Sequence, residues 1–241
     1  MRLLADIGVR LGVLEDAEFL LESAVEFSPK STKARMDYIQ VLRKQQKYHE
    51  ALSHAKILIQ QDPKNPQFQS VFAVESMQSG DYDTALATFD SILEILPEEP
   101  VTLTSRGNAL KTQGNKEQAI DSYRRAIKKH PAHGEAYYSL ANLKLFSFTD
   151  KEIQAMESQE HNPGISYMAR IYLDFALGKA YEDRGDYNKA FSYYESGNSF
   201  KRSQSRYKSE DMTVEFHTQM DVFSESFVEA NRGSGTKAAD P

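Results

Sequence analysis

The chain has 241 residues, 40% of them hydrophobic and 27% charged, and 29 basic against 35 acidic side chains leave a net charge of −6. That balance offers no broad positive field to nucleic acid phosphates, and with no cysteine in the chain, disulfide scaffolds, thiol nucleophiles and Cys-ligated zinc are excluded. No apolar run approaches the ~18 residues that cross a bilayer, and Asp6 and Arg10 interrupt the start before a signal-peptide core forms. The expected location is cytoplasmic, with neither membrane nor nucleic acid as partner.

Along the chain, prolines stand at Pro29, Pro63, Pro97 and Pro131, a constant interval of 34 residues. Ala17, Ala51, Ala85 and Ala119 keep the interval, as do Leu21, Ala55, Phe89 and Tyr123, and Ala24, Leu58, Ile92 and Ala126. Each period holds two amphipathic stretches, helix A and helix B; in the fourth they are Val101 to Thr112 and Lys116 to Lys129, parted by Gly114. Helix B is expected to start after turns such as Gly80-Asp81 and Gly114-Asn115, where Asp or Asn caps free N–H groups, and to stop before Pro. Small residues in the Ala17 column let the two helices approach, and larger ones in the Leu21 column fill the groove towards the next repeat. One helix pair cannot bury both faces, so stacking must supply the core.

At these columns the chain resembles the tetratricopeptide-repeat (TPR) family. The resemblance implies an all-α, right-handed TPR α-solenoid of about six helix-pair units. Repeats are expected at about 1–31, 32–65, 66–99 and 100–133, with an irregular unit at 134–163 and a last one at 164–204. In the irregular unit an A helix is expected from Glu135 to Phe146. Thr149 and Glu152 then form a capping box that starts a short helix through about Glu160, closed by Asn162-Pro163-Gly164. Repetition resumes at Leu173 to Arg202, where Gly178, Tyr181, Gly185, Ala190 and Tyr194 fit the columns; Tyr181, Tyr187 and Tyr194 are expected in the core. Met212, Phe216, Met220, Phe223 and Phe227 predict one amphipathic helix over 205–231, capping the stack, and 232–241 has linker composition.

A second resemblance covers about 135–241. Tyr137 to Met156, with Leu140 to Lys144, and Asp174 to Asn198, with Phe175 to Lys179, look like the region that joins repeats to the catalytic domain in bacterial TPR-containing sulfotransferases. It implies a C-terminal sulfotransferase domain, absent from this chain, that takes sulfuryl groups from 3′-phosphoadenosine 5′-phosphosulfate. No cofactor and no catalytic residue is expected within these residues. Counted back from Pro29, Met1 falls at about the fourth position of its helix, and the linker stops at Asp240-Pro241, so a piece of a longer protein is expected.

Other chemistry finds little footing. Arg232 to Lys237 lacks the spacing and preceding strand of a phosphate loop. His130 and His133, near Glu135, sit in a turn with no rigid further ligands and are expected to be solvated, as is the Glu98-Glu99 pair. Arg124, Arg125, Lys128 and Lys129 complement the dipole at a helix C-terminus, and Lys201, Arg202, Arg206 and Lys208 read as a solvated connector. What remains is the concave wall of A helices, where the TPR resemblance implies a peptide or protein in the groove. The groove columns hold Lys33, Gln40, Arg43, Lys44, Ser70, Gln78, Thr104, Asn108, Lys111, Tyr138 and Asn142. Of these Lys33, Gln40, Lys44, Asn108, Lys111, Tyr138 and Asn142 are the candidate contacts: amides for a peptide backbone, lysines for its carboxylates. Two functions follow as alternatives, a substrate-presenting module of a sulfotransferase and a stand-alone scaffold without enzymatic activity.

Overall fold

The computed structural model describes residues 1–143, 146–159, 162–203, 205 and 207–234. It forms two compact units, Met1–Gly197 and Asn198–Pro241. In the first, helices pair as α1 (Arg2–Leu11) with α2 (Leu14–Phe27), α3 (Thr32–Lys44) with α4 (Tyr48–Gln61), α5 (Pro66–Gln78) with α6 (Tyr82–Ile95), and α7 (Pro100–Thr112) with α8 (Lys116–Lys129). Then come α9 (Gly134–Ala141), α10 (Asp150–Ser158), α11 (Tyr167–Asp183) and α12 (Tyr187–Ser203), whose last residues belong to the second unit. From α1 to α9 each helix packs on the next in sequence, α9 and α10 both pack on α11, and α1 touches α3, α5 touches α7 and α7 touches α9, so the fold is the all-α repeat solenoid that the period predicts.

The turn inside each pair repeats one backbone device. Gly12, Gln46, Gly80, Gly114 and Gly185 adopt φ of 85, 62, 86, 86 and 76°, the left-handed region that closes a helix. The next N–H reaches back in every case: Val13 to the Gly8 carbonyl at 3.0 Å, Lys47 to Leu42, Asp81 to Ser76 and Asn115 to Leu110 at 2.9 Å, Asp186 to Tyr181 at 3.0 Å. Asp81 then caps its B helix by accepting from Thr84 N–H at 3.1 Å, and Asp186 accepts from Lys189 N–H at 3.2 Å. Asn115 differs from expectation: its side chain makes no cap bond, and only its backbone carbonyl joins the helix. Ser31, Asn65 and Glu99 cap the following A helices, with Pro66 and Pro100 at their first positions.

Packing within a pair follows a size rule between two columns. Where the B helix presents Tyr123, the A helix presents Gly107, and a Cβ there would lie 2.5 Å from the tyrosine ring. Gly178 meets Tyr194 in the same way, with the same 2.5 Å approach. Ala73 faces the Phe89 column and Ala5 the Leu21 column, whereas Ile39 stands opposite the small Ala55; all six are buried. Each pair thus keeps one filled volume with its residues exchanged.

The irregular unit departs from the sequence reading. α9 stops at Ala141, not Phe146, because Asn142 donates its side-chain amide to the Tyr138 carbonyl at 3.0 Å and the chain turns to bury Leu143 and Phe148. Those side chains join Ile153 and Met156 of α10 in the core. The Thr149–Glu152 capping box forms both of its bonds; Glu160, the expected helix end, lies outside the described residues. Tyr181 is buried and Tyr194 half-buried, but Tyr187 is 70% exposed, contrary to its expected core position.

In the second unit the expected single helix is two, α13 (Ser209–Val222) and α14 (Glu225–Ala230). Ser224 divides them by capping the Phe227 N–H. Phe216, Met220, Phe223 and Phe227 are exposed, and Phe223 and Phe227 meet edge to face at 5.5 Å. Arg206 and residues 235–241 of the expected connector and linker lie outside the described residues.

Candidate functional site

Helical spacing sends side chains three and four apart along α3 to the same side, and it is there that the first hollow opens. A cavity of about 270 Å³ lies between α1 and α3, lined by Arg2, Asp37, Gln40, Val41 and Lys44 among others. A second, of about 510 Å³, is bounded by α3, α5 and α7 with Met36, Gln40, Val71, Val74 and Val101. The third, about 610 Å³, opens where α9 is short, between Tyr138, Asn142, Phe146, Phe175 and Tyr194. Tyr138 is held by rings on α11, Tyr172 at 5.2 Å and Phe175 at 6.2 Å.

The candidate residues therefore separate into three groups. Gln40 and Lys44 share the first hollow, and Tyr138 and Asn142 share the third. Lys33, Asn108 and Lys111 line none of the three. Lys33 is exposed in the first turn of α3, and Lys111 is half-exposed near the end of α7. The two asparagines are not equivalent hydrogen-bonders. Asn108 Oδ1 accepts from the Tyr123 hydroxyl at 2.8 Å, while Asn142 spends its amide N–H on its own helix end. Lys33, Lys44 and Lys111 carry no ion pair among the described residues.

Other groove columns turn inward. Thr104 is buried, donating to the Pro100 carbonyl at 2.8 Å and lying 2.9 Å from His133 Nε2. His133 is thus a half-buried partner rather than a solvated turn residue, and burial holds its pKa below the ordinary value. Arg43 reaches Glu75 of α5 through Nε at 2.7 Å and through a second guanidinium nitrogen. Glu75 is fully buried; burial raises its pKa, and Arg43 opposes that rise. Sequence reading missed Glu75, although an acid in the column of Val41 and Ala109 was the visible signal. The basic run also finds partners: Arg124 pairs with Glu152 at 2.9 Å, Lys129 with Glu98 at 2.7 Å, and Arg125 donates to the Pro97 carbonyl at 3.1 Å. Among the described residues no three His, Asp or Glu side chains gather to hold a metal. None of the described helices is long and apolar enough to cross a membrane. The chemistry on offer along the A helices is recognition by hydrogen bonds, lysine charge and apolar or aromatic hollows.

Residues 2–102 match the family model of the cytochrome c-type biogenesis protein H TPR domain, and residues 104–143 and 175–203 match tetratricopeptide-repeat models. The chain is a tetratricopeptide-repeat protein. Such repeats mediate protein–protein interaction, and the TPR chain is 30% identical over 120 residues to human Tetratricopeptide repeat protein 6, covering 50% of this chain and 23% of that protein. It is 25% identical over 153 residues to an uncharacterized protein of Aquifex aeolicus (strain VF5), covering 64% of this chain and 19% of that one. The match therefore spans about a fifth of the length of these curated relatives. Among solved structures it is similar to MamA 41-end from Desulfovibrio magneticus RS-1, with 21% identity, 72% of this chain and 96% of that chain covered, and a TM-score of 0.48.

Proposed function

We propose that the A-helix face of this TPR chain binds an extended acidic peptide of a partner protein, so that the chain acts as an adaptor. The observation that carries the reading is that Lys33, Lys44 and Lys111, which lack ion-pair partners among the described residues, stand on α3 and α7, two of the helices that bound a mixed polar and apolar hollow at Lys44 and a more apolar one beside it. Lys44 lines a hollow with Val41, and the neighbouring hollow is walled by Met36, Val71 and Val74. A strand-like peptide alternating acidic and apolar residues would present carboxylates to Lys33, Lys44 and Lys111 and side chains to the hollows. Gln40, Asn108, Tyr138 and Asn142 would supply polar contacts along it.

The test is fluorescence anisotropy with a labelled peptide of alternating Glu and Leu against its Gln and Leu counterpart. The acidic peptide should bind more tightly, and the preference should shrink with salt. Reversing both charges in Lys44→Glu/Lys111→Glu should weaken it by about tenfold or more at low salt, since exposed pairs contribute up to ~1 kcal/mol each. Equal binding of the two peptides would overturn the reading.

A second reading adds catalysis downstream: the same face would present a sulfate acceptor to a sulfotransferase domain using 3′-phosphoadenosine 5′-phosphosulfate. Its support is the resemblance of 137–156 and 174–198 to the joining region of that family. It stands or falls with what is encoded after Pro241.

A further inference from the structure

Along the A-helix face the free positive charge is interrupted at repeat 3. α3 carries Lys33 and Lys44 and α7 carries Lys111, none of them ion-paired among the described residues. α5 between them has neither lysine nor arginine, and Glu75 is its sole charged residue. Arg43 of α3 reaches α5 but is already committed: Nε lies 2.7 Å from Glu75 Oε1, and a second guanidinium nitrogen contacts the same oxygen. Glu75 is fully buried. Its Oε2 has no hydrogen-bond partner among the described residues, and Arg43 makes the only ion pair to Glu75 among them.

That commitment decides what the middle of the groove can accept. A ligand carboxylate that drew Arg43 away would strand a charge in the core, which is strongly destabilising. One that shared Arg43 with Glu75 would set two carboxylates against each other. Beside Arg43, the hollow bounded by α3, α5 and α7 holds about 510 Å³ and is lined by Met36, Ile39, Val71, Val74, Ile92 and Val101. Such walls favour an apolar side chain that leaves water. All of these residues lie within 32–112 of the first unit, with α2 of that unit packed on α3 and α8 on α7.

We propose, on the footing that the A-helix face binds an acidic peptide, that the partner segment carries its acids in two groups parted by an uncharged apolar stretch, and that Glu75 enforces the gap by holding Arg43. The acids pair with the lysines of α3 and α7, and an apolar side chain of the stretch enters the hollow beside α5. The length of the gap follows from helix spacing. Packed helices lie about 10 Å apart, so the two steps from α3 to α7 span roughly 20 Å, or about six residues of extended chain. Glu75 is a positioning residue: it touches no ligand and acts through Arg43.

Two labelled peptides test this by fluorescence anisotropy with the full chain, both with glutamates at the ends of a stretch of that length. One alternates leucine and serine between them, the other glutamate and serine. The wild type should bind the leucine-centred peptide several-fold more tightly, although the other carries more negative charge. Glu75→Gln keeps the size of the side chain and removes its charge. It should strengthen binding of the glutamate-centred peptide by about fivefold at low salt, the worth of one added pair, and leave the leucine-centred one unchanged. Ser70→Phe, which narrows the hollow, should weaken the leucine-centred peptide and not the other. A wild type that prefers the glutamate-centred peptide, or holds both alike, overturns the inference and leaves the acidic-peptide reading standing; a wild type that binds neither overturns both. Undiminished binding of the leucine-centred peptide by Ser70→Phe overturns the hollow as its seat. A Glu75→Gln chain with unchanged circular dichroism and wild-type discrimination overturns the part given to Glu75; if that chain does not fold, the wild type and Ser70→Phe still decide whether the centre is neutral and apolar.

Discussion

Arg35 is a cation with almost no water, and its neighbours explain how it stays charged. One guanidinium nitrogen donates to the Pro29 carbonyl at 2.8 Å and another lies 2.9 Å from His54 Nδ1, whose ring meets Tyr38 edge to face at 4.8 Å. His54 must accept, so the neutral imidazole is the form that fits. Burial, and after it the charge of Arg35, hold the His54 pKa below its ordinary value, with Glu50 opposing. The unfolded chain takes up that proton near pH ~6.5 while the folded chain does not, so stability present above that value is lost as the pH falls towards the folded pKa. The melting temperature should drop between about pH 7.5 and 5.5. His54→Gln, which keeps an acceptor for Arg35 and cannot titrate, should show a smaller drop; an identical drop in both proteins would remove His54 as the source. The Arg35 column was legible as a column but not as an environment, since it also holds Gln69, Leu103, Tyr137 and, beyond the irregular unit, Asp174. The same gap affected the groove: spacing aligned Asn108 with Asn142, yet Tyr123 occupies the first and the end of α9 the second. Position in a helix is written in the period, whereas the partner of a polar side chain depends on the volume beside it.

Helix placement followed the sequence where backbone chemistry sets it. Proline ends each of the first four B helices two residues before the ring, and a left-handed residue closes α1, α3, α5, α7 and α11. The breaks that sequence reading missed come from competition: Asn142 and the burial of Leu143 and Phe148 cut α9 short, and Ser224 splits α13 from α14. The left-handed column also holds one residue that pays a conformational penalty. Gln46 has φ 62° where the other four positions are glycine. Side chains lose roughly 1–2 kcal/mol there, part of which glycine returns through its freer unfolded chain. Gln46→Gly should therefore stabilise by about 0.5–1 kcal/mol, read as a higher urea midpoint at unchanged slope. The Gln46 side chain is exposed, and among the described residues it makes no hydrogen bond that the change would lose. A lower midpoint would mean that the turn does not carry this strain.

Across the first unit the apolar core is not continuous. One cluster runs from Ala5 to Phe68, a small one holds Ala73, Ala85, Phe89 and Ile92, and a large one runs from Leu93 to Ala190. The division falls in repeat 3, where Glu75 and Ser76 are buried in α5 and where, among the described residues, Glu75 Oε2 and Ser76 Oγ lack hydrogen-bond partners. A carboxylate in place of the valine or alanine of its column exchanges apolar contact for the Arg43 ion pair, a substitution that adds little net stability once desolvation is counted. In a solenoid stability is shared between nearest neighbours, so a weak joint separates blocks that open independently. Leu42→Ala empties a fully buried site in the first cluster and should cost about 2–5 kcal/mol. Hydrogen exchange should then accelerate through α1–α4 while α7–α11 keep their protection. Equal acceleration through both blocks would show that repeat 3 transmits stability, and that the Arg43–Glu75 pair couples the two halves rather than marking their boundary.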